Sequence, residues 1–164
     1  MYLNLGCGDK ATHGRAPWVN VDSWPGCEPD VVADILHLDF EDNCAEMIYA
    51  GHVIEHLDYT GQVPLFVAEL ARLLSPGGQV LVVGPDAEKV RSRPEWSDWV
   101  ERVDEGSTEH PGSLHLWKAT GEATVKAMRE CFPEAREVDI RTPAGFWPIA
   151  SRVEWQFAVF GKDI

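Results

Sequence analysis

Two glycines separated by one residue interrupt the chain just after its first apolar run, where residues 3–8 read LNLGCG. A second apolar run ends in an acidic residue, Asp22, fourteen positions after Gly8. Glycines at the end of a strand let the backbone pass close to a ligand, because no Cβ intervenes. An acid at the end of the next strand can accept hydrogen bonds from both ribose hydroxyls. Together the glycines and Asp22 predict a site for a nucleoside-bearing ligand.

The segment after the glycines limits which ligand this is. A dinucleotide site needs a helix that starts directly after the glycines and binds the pyrophosphate with its N-terminus. Residues 9–17 contain Gly14 and Pro17, which leave too little chain for an ordinary helix. The match to Gly-x-Gly-x-x-Ala is therefore weak evidence for a dinucleotide. S-adenosylmethionine carries no phosphate, and a glycine turn without a strong helix dipole suits it better.

Composition limits the class of protein and its partners. A chain of 164 residues can form a single domain with a real core. A formal charge of −13 makes a nucleic-acid partner improbable. With no signal peptide and no long apolar run, we expect no membrane partner and a cytoplasmic location. Four cysteines without paired metal spacing predict free thiols and no zinc site. They are Cys7, Cys27, Cys44 and Cys131.

Short β-type runs and helical runs follow one another along the chain. The predicted strands are Tyr2–Leu5, Trp18–Asp22, Asp30–Asp34, Glu46–Ala50, Gln79–Gly84, Glu137–Arg141 and Glu154–Phe160. The predicted helices are Pro64–Leu74, Pro94–Asp104 and Gly121–Phe132, the last capped by Thr120. This order predicts an α/β fold of the doubly wound, Rossmann-like kind. Its sheet is expected to be mostly parallel, with an antiparallel C-terminal strand.

One face of this sheet is expected to have reduced helices. The links at residues 9–17 and 23–29 are short and broken by glycine and proline. Asn4 and Asn20 alternate with apolar residues along their strands, which indicates that the face carrying the asparagines is more exposed to solvent than the other face. An apolar area left open there would favour a homodimer, with residues 142–152 as the alternative cover.

Four blocks of sequence, in order, resemble a known family. They read LNLGCG (3–8), WVNVD (18–22), DILHLDF through IYAGHVIEHL (34–57) and LARLLSPGGQVLVVGPD (70–86). The set resembles class I S-adenosylmethionine-dependent methyltransferases, and more narrowly the small type-11-like ones. The likeness is close over about the first half of the chain. It implies S-adenosylmethionine as the cofactor, and a single domain over residues 1–164 with an insertion at about 86–118 that covers the acceptor side.

The resemblance also implies roles for individual residues. Asn4, Leu5, Gly6, Cys7 and Gly8 would wrap the methionine part of the cofactor. Asp22 would bind the ribose hydroxyls. Asp34 would meet the adenine amino group, with the Ile35 backbone beside it. Ala50, Gly51 and His52 would border the sulfonium and the acceptor.

The histidines are the candidates for acid–base chemistry. A hydroxyl acceptor would need a base, for which His52 is the first candidate and His56 the second. The pair could share a helix face and bind metal, but the sequence shows no carboxylate or cysteine placed to complete a site, so no metal is predicted. Glu55 is interpreted as a structural carboxylate. His115 either packs in the interior or reaches the acceptor pocket.

The sequence thus favours a methyltransferase that acts on a small molecule, a sugar or a peptide-borne group. No Asn-Pro-Pro-Tyr-type block, which the resemblance associates with nucleic-acid amino groups, follows the fourth strand. A non-catalytic S-adenosylmethionine-binding subunit that regulates a partner enzyme is the alternative. A nicotinamide-dependent oxidoreductase is disfavoured because the phosphate-binding helix is missing.

Overall fold

The computed structural model describes residues 1–92, 115–138 and 156–162. Its strands are β1 Tyr2–Leu5, β2 Trp18–Asp22, β3 Val31–Val32, β4 Ala45–Gly51, β5 Leu74–Pro85, β6 Arg136–Glu137 and β7 Gln156–Lys162. Its helices are α1 Gln62–Leu73, α2 Ala87–Arg91 and α3 Gly121–Met128. Short 3-10 turns occupy Lys10–Thr12, Pro25–Cys27 and Ile54–His56. The predicted helix Pro94–Asp104 lies outside the described residues.

The seven strands form one sheet in the order β3-β2-β1-β4-β5-β7-β6. The pairs from β3 to β5 are parallel, whereas β7 runs antiparallel to both β5 and β6. The register aligns Leu5 of β1 with Val21 of β2 and Ala50 of β4, so the carboxyl ends of these strands lie side by side. The predicted α/β fold, mostly parallel with an antiparallel C-terminal strand, is confirmed.

The third strand is shorter than predicted because Asp30, the first residue of the predicted strand, makes side-chain hydrogen bonds and does not pair with β2. Only Val31 and Val32 pair with β2. The Asp30 carboxylate instead accepts hydrogen bonds from the backbone N–H and the side-chain amide of Asn20, both at 2.8 Å. A short polar side chain that bonds to a neighbouring backbone competes with regular strand pairing.

Helix α1 begins and ends within two residues of its predicted bounds, whereas α3 begins at Gly121 as predicted and ends at Met128, four residues before the predicted Phe132. Helix α1 starts at Gln62, because the N–H groups of Gln62 and Val63 both donate to the Asp58 carbonyl before Pro64 is reached. Helix α3 is capped as predicted, with Thr120 Oγ1 accepting from the Ala123 N–H at 3.2 Å. Both helices bury apolar side chains in the main core, including Phe66, Leu70, Leu73 and Met128.

The opposite face of the sheet has no long helix over it in the described part of the chain. The links after β1 and β2 contain only 3-10 turns, as the glycines and prolines predicted. Yet the aliphatic and aromatic side chains of β4, β5 and β7 on this face are buried within the single chain. They are Met47, Tyr49, Leu81, Val83 and Ala158. The homodimer stays a prediction.

The asparagine face of β1 and β2 is dry rather than wet. Asn4 Nδ2 donates to Asn20 Oδ1 at 2.9 Å and to the Thr12 carbonyl at 3.1 Å, and both asparagines are buried. The Gly14 N–H donates to Asn20 Oδ1 at 2.7 Å. The loop between the two strands therefore covers this face with hydrogen bonds instead of a helix, which satisfies the buried amides.

The two ends of the predicted insertion, residues 86–118, lie next to each other. The Ala87 N–H donates to the Ala119 carbonyl at 2.9 Å, and the Gly121 N–H lies 3.4 Å from Asp86 Oδ2. Most of the segment itself lies outside the described residues, so its role as a cover stays a prediction. None of the described helices is both long enough and apolar enough to cross a bilayer.

Candidate functional site

A cleft of about 430 Å³ opens at the carboxyl ends of β1, β2 and β4. This is the edge at which open α/β sheets bind ligands, and the volume suits a small molecule. Seven of the predicted site residues line it. They are Gly6, Gly8, Asp22, Asp34, Ile35, His52 and His56.

The glycine turn forms the part of the cleft that follows β1. Gly6 and Gly8 both have φ +62°, in the left-handed region that side chains disfavour. A Cβ on Gly6 would also clash with the side chain of Val53. Both glycines are therefore required by the backbone conformation, and they present main-chain atoms to the cleft.

Asp22 joins the glycine turn to the loop after β2. Its Oδ2 accepts a hydrogen bond from the Gly8 N–H at 3.0 Å, and its Oδ1 accepts one from the Trp24 N–H at 2.9 Å. A carboxylate has about four lone-pair sites, so these two bonds leave capacity for two ligand hydroxyls. Asp22 lines the cleft and is held in place before a ligand arrives.

Asp34 and Ile35 line the cleft from the loop after β3. Asp34 Oδ1 accepts a hydrogen bond from the Leu36 N–H at 2.9 Å, which fixes a tight turn. The Asp34 side chain is exposed and Ile35 is partly buried against the core. This loop can therefore offer one carboxylate and one aliphatic surface to a flat ring.

Five predicted residues do not line the cleft. Leu5 and Ala50 are fully buried in the core, and Asn4 belongs to the amide network described above. Gly51 ends β4 beside the Tyr49 ring. Burial and the Asp22 charge raise the pKa of the Cys7 thiol to about 12, which keeps it neutral. These residues shape the strands that carry the site, and the roles that the resemblance gave them stay predictions.

Several lining residues were missed by the sequence reasoning. They are Asp9, Ser23, Trp24, Cys27, Leu36, Val53, Leu57 and Gln62. Of these residues, Trp24 had the strongest sequence signal, because it follows Asp22 by two positions in a short loop. Gln62 and Leu57 carry no such signal, because they reach the cleft only through the packing of α1 and the turn before it. The cysteines, Cys27 included, are free thiols as predicted.

The charged side chains that line the cleft are acidic in the described part of the chain. Asp9, Asp22 and Asp34 contribute carboxylates, and no lysine or arginine lines the cleft in the described part of the chain. The glycine turn leads into the 3-10 turn Lys10–Thr12 and not into an α-helix. The cleft therefore lacks the helix N-terminus and the cations that usually bind phosphate groups, and its charge favours a ligand with a cationic part.

His52 and His56 line the cleft from the segment after β4. His52 has φ +57°, and its N–H donates to the Val83 carbonyl at 2.8 Å. His52 Nδ1 lies 3.3 Å from Glu55 Oε1, and His56 Nε2 lies 4.0 Å from the same oxygen. Glu55 is fully buried, as a structural carboxylate would be, and it holds both rings to one side of the cleft.

His115 is not one of the residues that line the cleft, and packs instead on His56. The two ring centroids are 4.8 Å apart in an edge-on arrangement. Ligand atoms of Glu55, His56 and His115 all lie within 4.8 Å of one another. The sequence argument against a metal considered only the pair His52 and His56. The structure places Glu55 and His115 beside His56, and the absence of a metal stays a prediction.

Comparison with known proteins agrees with this geometry. Residues 3–82, just under half of the chain, match the family model described as a methyltransferase domain. This part of the chain is similar to methyltransferase domains. The predicted resemblance to class I S-adenosylmethionine-dependent methyltransferases is confirmed by that match and by the fold. No curated protein sequence matches the chain.

Solved structures share the fold of this chain at low sequence identity. A protein from Pyrococcus horikoshii has a TM-score of 0.66 at 16% identity, over 99% of this chain and 81% of its own. A Haloferax volcanii methyltransferase, solved with the Trm112 methyltransferase activator, has 0.61 at 15%, over 98% and 81%. The Bradyrhizobium japonicum N-methyltransferase NodS, solved with S-adenosyl-L-homocysteine, has 0.59 at 14%, over 98% and 76%. The cofactor predicted from the sequence agrees with the family match and with the NodS complex.

Proposed function

We propose that this protein is an S-adenosylmethionine-dependent methyltransferase that acts on a small molecule, a sugar or a peptide-borne group. The observation that carries the proposal is Asp22, a carboxylate held across the glycine turn at the edge of an acidic cleft. The cleft binds ribose hydroxyls and a sulfonium more readily than a pyrophosphate, because it offers carboxylates and no phosphate-binding helix.

In this proposal, different lining residues contact different parts of the cofactor. Gly6 and Gly8 receive the methionine part against main-chain atoms. Asp22 accepts from the two ribose hydroxyls, and Asp34 with Ile35 borders the adenine. His52 faces the sulfonium from the end of β4, on the side where the acceptor enters.

Methyl transfer from a sulfonium is a direct displacement. The acceptor atom donates an electron pair to the methyl carbon while the carbon–sulfur bond breaks, which leaves neutral S-adenosylhomocysteine. The protein contributes mainly by aligning acceptor, methyl group and sulfur and by excluding water. A hydroxyl acceptor also releases a proton, and His52 is placed to take it. A thiolate would need no base, and an amine that reaches the site unprotonated would release its proton to water after transfer.

A second candidate function is a cofactor-binding subunit that works with another protein. The Haloferax volcanii neighbour was solved with an activator protein. The short links after β1 and β2 supply no α-helix in the described chain, so a partner could add structure on that side. In this version the chain binds S-adenosylmethionine but turns over only in complex with its partner.

Two measurements test these alternatives. Isothermal titration with S-adenosylhomocysteine and with NAD tests the cofactor, and binding of NAD alone would contradict both versions. Turnover with a methyl-labelled donor and a panel of hydroxyl, amine and thiol acceptors tests catalysis. Cofactor binding without transfer to any acceptor would favour the partner-dependent version.

A further inference from the structure

Glu55 is the most unusual side chain near the cleft. It lies on the 3-10 turn Ile54–His56, its carboxylate is fully buried, and neither oxygen has a hydrogen-bond partner within the described residues. Its ion pairs there include those with His52 and His56. A buried charge without hydrogen bonds is costly, so a carboxylate at such a place usually has a function or an occupant.

The neighbours of Glu55 are nitrogen ligands. His56 and His115 bring their imidazoles to the same carboxylate, with all three sets of ligand atoms within 4.8 Å. Ligand atoms around a tetrahedral ion with bonds of about 2.0–2.1 Å are roughly 3.4 Å apart. Binding of one ion by all three groups therefore requires the ligand atoms to move closer together, to which side-chain rotations can contribute.

The segment that carries His115 is fixed to the turn that carries Glu55. The Leu116 N–H donates to the Glu55 carbonyl at 2.8 Å, and Trp117 Nε1 donates to the Ile54 carbonyl at 2.8 Å. The Trp117 ring also packs on Tyr59, with centroids 4.6 Å apart. His115 and Glu55 are distant in sequence, yet two hydrogen bonds and a ring contact hold their backbones together, so the three ligands are preorganised.

We propose that Glu55, His56 and His115 bind one divalent transition-metal ion such as Zn²⁺. Two imidazoles and one carboxylate favour such an ion over Mg²⁺, which prefers oxygen ligands and water. Three protein ligands leave a coordination position open, which is typical of catalytic rather than structural sites. The buried Glu55 charge would then be neutralised by the ion.

One of the proposed ligands, His56, lines the cleft together with His52. The open coordination position could then hold an oxygen atom of the acceptor. This role for the ion rests on the proposed function, whereas metal binding itself rests only on the three side chains. The inference makes oxygen-directed transfer the expected chemistry and assigns His56 to the metal instead of to proton transfer.

Metal binding is tested directly with the full chain after treatment with a chelator. Equilibrium dialysis with Zn²⁺, and the visible spectrum of the Co²⁺ form, report binding without any need for turnover. We expect about one ion per chain with micromolar or tighter affinity, and affinity for Mg²⁺ at least about 100-fold weaker. His115→Gln and Glu55→Gln should each weaken Zn²⁺ binding by at least about 100-fold.

The matched control is His37→Gln, because His37 is an exposed histidine on the loop after β3 and does not belong to the cluster of Glu55, His56 and His115. It should bind Zn²⁺ like the wild type. Absence of binding below millimolar Zn²⁺, or equal binding by His115→Gln and wild type, would overturn the site. Circular dichroism and titration with S-adenosylhomocysteine on the same samples separate the two proposals. A folded wild type that binds Zn²⁺ but not S-adenosylhomocysteine would contradict the proposed function and leave the metal site standing.

Discussion

The Gly8 N–H donates a hydrogen bond of 3.0 Å to Asp22 Oδ2, and this bond links the ends of two neighbouring strands at the cleft. Asp22 therefore both holds the glycine turn and lines the cleft. Asp22→Ala is expected to weaken S-adenosylhomocysteine binding by at least about tenfold, because charge-assisted bonds to two hydroxyls are lost. Isothermal titration measures it, with Asp39→Ala, an exposed acid outside the cleft lining, as the control. Unchanged affinity in a folded Asp22→Ala variant would remove Asp22 from the site.

A side chain on Gly8 should block the cofactor. Gly8→Val places a branched side chain at φ +62° where the turn meets the cleft. Gly77→Val is a matched control, since Gly77 has φ +76° and nothing within 4 Å of an added Cβ. Both variants should lose similar stability from backbone strain, but only Gly8→Val should lose S-adenosylhomocysteine binding. Equal loss of binding in the two variants would mean that strain, and not the cleft, explains the effect.

The buried amide network should be costly to remove. Asn20 Oδ1 accepts from Asn4 and from the Gly14 N–H, while Asn20 Nδ2 donates to Asp30 Oδ2 and the Gly14 carbonyl. Asn20→Leu leaves several of these buried groups without partners, and we expect the free energy of unfolding to fall by about 2–4 kcal/mol. Urea unfolding followed by tryptophan fluorescence measures this change. A loss below about 1 kcal/mol would show that water replaces the network readily.

Acid should destabilise the contact between α1 and the loop before β4. The Arg72 guanidinium lowers the pKa of Glu69, with Nε and Nη2 each donating at 2.7 Å, and the Leu38 N–H lowers it further against the opposing effect of burial. Because the folded-state pKa is depressed, the stabilisation is complete above the unfolded value of about 4.3 and is lost as pH falls through the folded value.

Glu69→Gln tests this titration. The variant should be less stable than wild type at pH 7 by about 2 kcal/mol, and the difference should shrink between pH 5 and pH 3. Urea unfolding at a series of pH values measures it. Glu41→Gln, at an exposed acid in the same loop, should follow the wild-type profile. A constant difference between Glu69→Gln and wild type at all pH values would contradict the assignment of the titration to Glu69.

Much of the cofactor half of the fold could be predicted because its signals are local. The strand Trp18–Asp22 and its terminal acid follow from alternation and from residue type, and the glycine turn follows from two neighbouring positions. His115 could not be assigned in this way. It meets Glu55 only because Leu116 and Trp117 bond to the turn at Ile54 and Glu55, and such a contact between distant segments leaves no trace in local periodicity. The dry asparagine pair was missed for the same reason, since its loop cover comes from tertiary hydrogen bonds.

Both edges of the described sheet are only two residues long, at Val31–Val32 and Arg136–Glu137. An edge this short offers too few unpaired backbone groups to template a strand from another chain, and the charged pair at one edge opposes such pairing further. Continuous strand addition at these two described edges is therefore disfavoured. Two copies that do associate are expected to contact each other through side chains on a face or a loop. Substitution of those side chains should therefore weaken the association, whereas blocking the backbone N–H groups of the edge strands should not.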